Sequence, residues 1–518
     1  MERVHSENPY LSEIEQTLPR LLSLFNQDVT SASYGMGDRY HWAWGLIDFG
    51  NGTFQGAAHG LSRLVASGLL PARFDERRIL ALIRGMFKAA KTLRRSDGSM
   101  EEAFPYEGSF CVTALVAYDL LSAVELLEER LTDVERRYCL GVVRPMIGFL
   151  ERNDETHALI SNHLATAVAA LVKWSRLANE GNLDRALEIL NRILKNQSSE
   201  GWFREYEGAD PGYQSLATYY LADIHRMEPN LGLLEPLKRS VEFLWHFAHP
   251  DGSFGGIYGS RNTRFYYPAG IESLAECLPE AGALAEEMRT SIAGSRVVTL
   301  SCMDEPNLVP MFNAYAWAAV HPRTHTDAII PCRAKPFRRH FDEAGLLIDR
   351  GKSHYSILSL SKGGVVYHFE NEKARLIDCG VVIQARNGDQ ASTQNWSQHR
   401  TTVHEESVEI ESDLLPMQRQ ETSPLKYLAL RFLCLSVMRN SWIRERVKQL
   451  LVKLLITRRA AAVGTSRRRI TLGQNLRITD ETSESGGYKT LEKRYSFVAI
   501  HMASQGYWQQ SDTGGGDH

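Results

Sequence analysis

Between Thr53 and Asn313 one pattern recurs six times, and nothing else in the chain restricts its architecture as strongly. A turn-like segment runs into an apolar helix rich in small residues at Thr53 (GTFQGAAHGLSRL), Ser109 (GSFCVTALVAYDLL), Asn162 (SNHLATAVAALV), Gly212 (PGYQSLATYYLA), Pro268 (YPAGIESLAECL) and Asn313 (FNAYAWAAV). The successive intervals are 56, 53, 50, 56 and 45 residues. Each interval holds two helices of about 15 residues with their connections, so the repeating unit is a helical hairpin. In the second marker Val112, Leu115, Val116, Leu120, Val124 and Leu127 keep helical spacing while Ala and Cys fill the rest. A helix apolar over most of its circumference belongs inside. The marker helices therefore predict an inner ring, with a more polar set such as Asp184 to Lys195 as its outer wall. Turn signals at Ser96-Asp97-Gly98-Ser99, Glu200-Gly201 and Pro250-Asp251-Gly252-Ser253 gather at one end of the hairpins, where loops and helix starts can form a binding rim.

After about residue 335 the pattern changes to short runs with period-two alternation. Gly345 to Ile348, Tyr355 to Leu360, Gly364 to Phe369, Ala374 to Ile377 and Ser407 to Ser412 read as antiparallel strands, and the runs at Arg469 and Arg477 resume after an interruption. The expected fold class is α+β: residues 1–335 form an α/α toroid of about six hairpins carrying a groove, and 336–512 form an antiparallel β-sandwich. Residues 513–518 are expected to be a disordered tail. The interruption, 425–459, carries nine Lys or Arg against the single acid Glu445, with Leu450, Leu451, Leu454 and Leu455 as an apolar stripe. A basic amphipathic helix of this kind can make peripheral contact with an anionic membrane or bind a partner; it can equally pack on the sandwich with its basic face in water.

Composition narrows the partners. With 43% hydrophobic and 23% charged residues the chain can bury a sizeable core. A net charge of −3 offers no broad positive field, so nucleic acid is excluded as a partner and an anionic ligand must be met by a local cluster. The seven cysteines are scattered and form no CxxC pair, which argues against a disulfide framework or a zinc ribbon. The start, Met-Glu-Arg-Val-His-Ser-Glu-Asn, has neither a basic nor an apolar signal-peptide pattern, and no run reaches the roughly 18 apolar residues of a membrane span. A cytoplasmic location, membrane-associated where 425–459 engages, is the expectation.

Toroid followed by sandwich, together with particular residues, resembles the heparinase II/III-like group of polysaccharide lyases over nearly the whole chain. Ser161-Asn162-His163-Leu164-Ala165 is similar to the family's Asn-His motif, and Asp210-Pro211-Gly212-Tyr213-Gln214-Ser215 stands at the place of its Tyr motif. His354-Tyr355-Ser356-Ile357-Leu358-Ser359 resembles its His-Ala-Asp-Ala-Leu-Ser stretch. Leu376-Ile377-Asp378-Cys379-Gly380 resembles its Asp-Pro-Gly turn, and Gln398-His399-Arg400-Thr401-Thr402-Val403 its His-Asn-Thr-Val strand. The chain departs from the family at Lys352-Ser353-His354, where many members have His-x-His, and at Ser356, where they have Asp. The resemblance implies no required cofactor; in some relatives the corresponding His and Asp hold a structural zinc ion, and His354, Asp378 and His399 are chemically suitable ligands.

The resemblance implies β-elimination on a uronate glycan. The proton beside the carboxylate is a very weak acid, so its removal needs a donor that stabilises enolate-like charge, with a base and an acid positioned across the sugar. Asn162 or His163 would be the donor, Tyr213 would move protons, and His354 would reach in from the sandwich as a second acid or base. A tyrosine pKa of about 10 calls for nearby positive charge. For gripping an acidic polysaccharide or oligosaccharide, Arg39, Tyr40, His41, Trp42 and Trp44 combine aromatic faces with a forked donor, and Tyr206, Tyr258, Arg261, Arg264 and Tyr266 extend the groove. Plainer readings stand beside these: Asn162 as a helix N-cap, His163 as an interior histidine, Tyr213 as packing, His354 as structural, and Trp42 and Trp44 as seals of the first hairpin.

A lyase linked to exopolysaccharide metabolism is the first expectation. A uronyl epimerase begins with the same proton abstraction, and a non-catalytic glycan-binding or assembly protein is the reading from another class. A hydrolase, which needs two acids flanking a bond, is kept open by Glu101, Glu102, Glu205, Glu207 and Asp210.

Overall fold

The computed structural model describes residues 8–491 except 157–158, 182, 207, 322–325, 396, 398, 418–422, 441, 445, 448–449, 451–460 and 485–487. The expected tail at 513–518 and most of 448–459 lie outside the described residues.

Each marker leads into a helix. Ala57–Ala66, Phe110–Leu126, Ser161–Ala178, Pro211–Met227, Ala269–Leu274 and Glu305–Ala318 pack in that order, and the last closes on the first. Outside them stand Pro9–Ser23, Glu76–Leu93, Asp133–Arg152, Leu183–Lys195, Leu234–Leu244 and Pro279–Ala293, giving six hairpins in a ring. The two sets differ as their residues require. Phe110–Leu126 is buried almost all round, whereas Leu183–Lys195 buries Ala186, Ile189, Leu190 and Ile193, a single stripe. Starts are set by caps: the Ser109 hydroxyl accepts from Val112 N, and Asp210 accepts from Tyr213 N with Pro211 in the first turn.

One marker is corrected. Asn313 lies in the middle of Glu305–Ala318. Its amide donates to Gly56 O and accepts from Gly60 N, both at 3.0 Å, so it ties the last inner helix to the first. A buried, doubly satisfied amide serves ring closure there.

Strands begin at Phe337. A five-stranded antiparallel sheet runs in the order β1 (Phe337–Phe341), β2 (Leu346–Arg350), β3 (His354–Ser359), β4 (Val365–Glu370) and β5 (Lys373–Asp378). The second sheet contains β6 (Val382–Gln384), β7 (Gln390–Ser392), β8 (Arg400–Val403), β9 (Ser407–Pro416), β10 (Gly464–Thr471), β11 (Arg477–Glu484) and β12 (Lys489–Thr490). Strand parity divides the first sheet. Tyr355, Ile357, Val365, Tyr367 and Phe369 join the core of the toroid, while Leu358 and Val366 pack with Val408, Ile410 and Ile470 of the second sheet. Each large side chain buried at the toroid junction contributes roughly 2 kcal/mol, so the sheet is held to the ring by apolar burial.

Helix Pro424–Leu435, inserted between β9 and β10, rests on the toroid through Arg431, whose guanidinium lies 2.6 Å from Asp48. This reverses the expected arrangement of a helix packed on the sandwich with its basic side in water. No described helix is long and apolar enough to cross a membrane.

Candidate functional site

Around the rim where the inner helices start, three pairs of connecting segments are tied by backbone hydrogen bonds. Gly52 N donates to Glu101 O at 2.9 Å, Ser161 N to Arg204 O at 3.2 Å, and Ser260 N to Ala209 O at 2.9 Å. Asp210 joins two of these segments. Besides capping the Pro211–Met227 helix, it accepts from Arg261 N at 2.9 Å and from the Thr263 hydroxyl.

This frame brings Asn162, His163, Tyr206, Tyr213 and Arg261 together. The Arg261 guanidinium lies over the Tyr206 ring at 4.3 Å and 6.0 Å from the Tyr213 ring centre. It is 3% exposed, its Nε has no hydrogen-bond partner, and no acid forms an ion pair with it among the described residues. His163 is partly exposed and its Nδ1 lies 2.8 Å from Glu155 Oε2. Burial works to lower the His163 pKa, but Cys111 and Glu155 outweigh it and hold it well above the ordinary value. Since burial also raises the Cys111 pKa, the sulfur stays a thiol and Glu155 is the counter-charge. The balance favours the protonated imidazole, a hydrogen-bond donor.

Asn162 is held by Glu205: its backbone N and Nδ2 donate to the two carboxyl oxygens at 3.0 and 2.8 Å. Burial pushes the Glu205 pKa up to about 8, against the opposing effect of His163 and Asn162. Glu102, accepting from the Ser109 hydroxyl at 2.9 Å, is pushed up to about 7 by burial and then by Glu107. Burial raises Tyr213 above the usual tyrosine value, with Arg261 pulling the other way. Burial thus drives both Glu205 and Glu102 toward the neutral form.

Four expectations do not survive. His354 is an even-numbered residue of β3, on the face turned from the toroid; its Nε2 lies 3.0 Å from Asp349 and its ring packs 5.8 Å from His368. Its neighbour Tyr355 is the one that reaches the ring, donating to His246 O at 2.6 Å. Tyr258 and Tyr266, 0% and 1% exposed, are core residues; the Tyr258 hydroxyl lies 2.8 Å from His249 Nε2 and Tyr266 packs against Phe254. The metal triad is not assembled. His354 pairs with Glu370 and Asp378 with Val366 on β4, which separates them by about 13 Å along that strand. Asp378 is instead neutralised by buried Arg468 at 2.6 Å, and His399 lies 3.2 Å from Ser397. Among the described residues no group of three or more His, Cys, Asp or Glu could hold a metal ion.

The first-hairpin residues form a cluster of their own. Arg39 lies over Trp42 and Trp44 at 5.5 and 5.7 Å, and Tyr40 meets Trp44 edge to face. Trp42 and His41 are tied to Leu24 O and Ile47 O, so Tyr40 and Trp44 are the exposed rings. Arg264 is half-buried near Tyr367 and Cys379, at the junction with the sandwich.

The sandwich contributes a residue that sequence reasoning missed. Lys362 follows β3 in a short helical turn, is 3% exposed, and donates to Ile257 O at 2.7 Å, Gly259 O at 3.2 Å and the Asn262 side chain. It clamps the loop that carries Arg261. Burial brings its pKa down to about 7. Nothing in Ser361-Lys362-Gly363 marks it, but another signal was readable. Tyr106-Glu107-Gly108 and Tyr206-Glu207-Gly208 repeat before the helices that start at Phe110 and Pro211, and both tyrosines adopt left-handed backbone (φ 63° and 61°). A bulky residue held there is a mark of a constrained functional loop.

No protein-family model matches the sequence, and no curated protein matches it. Solved structures do. A chondroitin AC lyase of Streptomyces coelicolor A3 in complex with chondroitin sulphate is 10% identical with a TM-score of 0.50, over 90% of this chain and 65% of that one. Heparinase III is 11% identical (TM-score 0.48, 93% of this chain, 80% of that one), and a xanthan lyase of Paenibacillus is 10% identical (TM-score 0.43, 79% and 45%). The chain thus spans less than two thirds of the length of the xanthan and chondroitin lyase chains. At such identities the likeness concerns fold alone. The helical toroid followed by a β-sandwich is the fold that the chain shares with that chondroitin AC lyase.

Proposed function

We propose that the rim cluster cleaves a uronate-containing polysaccharide by β-elimination. The observation that carries this reading is the buried guanidinium of Arg261, which forms no ion pair among the described residues and whose Nε has no hydrogen-bond partner. A buried cation without a counter-charge is unfavourable by several kcal/mol, so a ligand that supplies a carboxylate there binds with that deficit relieved. His163, in the same cluster, is the donor that stabilises negative charge as it moves onto the carboxylate, while Asn162, held by Glu205, fixes the start of the helix that carries it.

Tyr213 is the proton carrier. As phenolate it removes the proton from the carbon beside the carboxylate; the electrons of that C–H bond form a double bond to the next carbon as its bond to the glycosidic oxygen breaks. The same proton then passes from the phenol to the departing oxygen. His354 has no part in the reaction. Because burial raises the Tyr213 pKa, phenolate is a minor form and turnover rises with pH on the acid side; it falls again once His163 loses its proton.

Incubation with a panel of uronate polymers, followed by the ultraviolet absorbance of the unsaturated uronate product, tests this. The expected result is new absorbance in wild type, lowered about 10²–10⁴-fold in Tyr213→Phe. Exchange of the proton beside the carboxylate without absorbance would indicate an epimerase; binding with neither would indicate a glycan-binding or assembly role.

A further inference from the structure

Exposed large hydrophobic side chains are concentrated in one place. Of twenty among the described residues, nine lie between Leu425 and Leu450. Leu425, Leu428, Phe432 and Leu435, spaced three, four and three apart, form one face of the Pro424–Leu435 helix and are 79%, 62%, 74% and 48% exposed. Trp442, 68% exposed, follows. Isolated surface hydrophobics are ordinary, but a continuous stripe of this size marks an interaction face.

The inward side of the segment is already satisfied. Cys434 and Met438 are buried, Arg431 pairs with Asp48, and Arg444 stands 3.6 Å from Asp97. Docking on the toroid therefore orients the stripe outward. Lys426, Arg439 and Arg446 remain exposed around it, and no acid lies among the described residues from Ser423 to Val447. Over 424–459 the sequence has nine Lys or Arg and one acid.

We propose that this face binds an anionic lipid bilayer, with the apolar stripe and Trp442 entering the boundary between headgroups and acyl chains and the three cations at the phosphates. Charge complementarity selects this occupant. A two-fold contact between two copies would set the same cations against each other, whereas an anionic leaflet neutralises them. A helix of 12 residues spans about 18 Å, so it lies in the membrane plane. The inference does not rest on the proposed β-elimination.

Co-sedimentation of the full chain with vesicles of phosphatidylcholine alone, and of phosphatidylcholine mixed with phosphatidylglycerol, tests it. The chain is expected to pellet with the mixed vesicles only. Phe432→Ser with Trp442→Ser should lower partitioning at least about tenfold, and Lys426→Glu or Arg446→Glu about fivefold each, with unchanged melting temperature since all four are exposed. Equal binding to both vesicle types, binding to neither, or a concentration-dependent dimer abolished by Phe432→Ser overturns the proposal.

Discussion

His163 and His354 were singled out by the same reasoning, yet the fold treats them oppositely. His163 stands in the first turn of an inner helix, and every inner helix of the ring starts near the same rim, so topology alone carries it to the cluster. His354 stands on a strand, where facing depends on parity, and its parity turns it into the space between the two sheets beside Asp349 and His368. A repeat locates its members as a set; a strand residue is located only by knowing which face the neighbouring domain covers. The sandwich does act on the site, but through Lys362, whose ammonium holds the loop of Arg261 from behind.

That contrast can be broken by exchanging the expected importance of two sandwich residues. Lys362→Met removes three hydrogen bonds from the Arg261 loop while filling the same space. If positioning is its role, turnover on a responsive uronate polymer falls about tenfold or more, and Lys362→Arg recovers part of it. A change in melting temperature with full turnover would make Lys362 merely structural. His354→Ala should do the reverse: turnover within about twofold of wild type, and stability lowered by about 1–3 kcal/mol because Asp349 loses a buried partner. Loss of turnover in a folded His354→Ala protein would restore it to the reaction.

Much of the toroid is legible because its signal is redundant: six markers lie at or within inner helices, and five of them stand near a helix start. Asn313 shows the limit. Its apolar surroundings resemble a helix start, while the true start at Glu305 is masked by Pro306 and Pro310, and only the closed ring reveals that its amide joins the two ends of the chain of hairpins. At the site, Asn162, His163, Tyr206, Tyr213 and Arg261 were readable; Glu205 and Glu102 were visible as acids but not as buried partners, since burial depends on how rim segments stack. Tyr258 and Tyr266 were misassigned because alternating aromatics near a rim look alike whether they face solvent or core. In the insertion the sequence does not tell which basic residues turn inward: Arg431 and Arg444 face Asp48 and Asp97, while Lys426, Arg439 and Arg446 stay exposed beside the leucines.

In the proposed reaction Arg261 receives the substrate carboxylate. Calorimetric titration of wild type and Arg261→Ala with a uronate oligosaccharide drawn from the panel, and with the same oligosaccharide after reduction of its carboxylates to alcohols, measures it directly. The account predicts that wild type prefers the acidic form by about tenfold or more and that Arg261→Ala loses this preference. Equal affinity of wild type for the two forms, or an undiminished preference in Arg261→Ala, would contradict it.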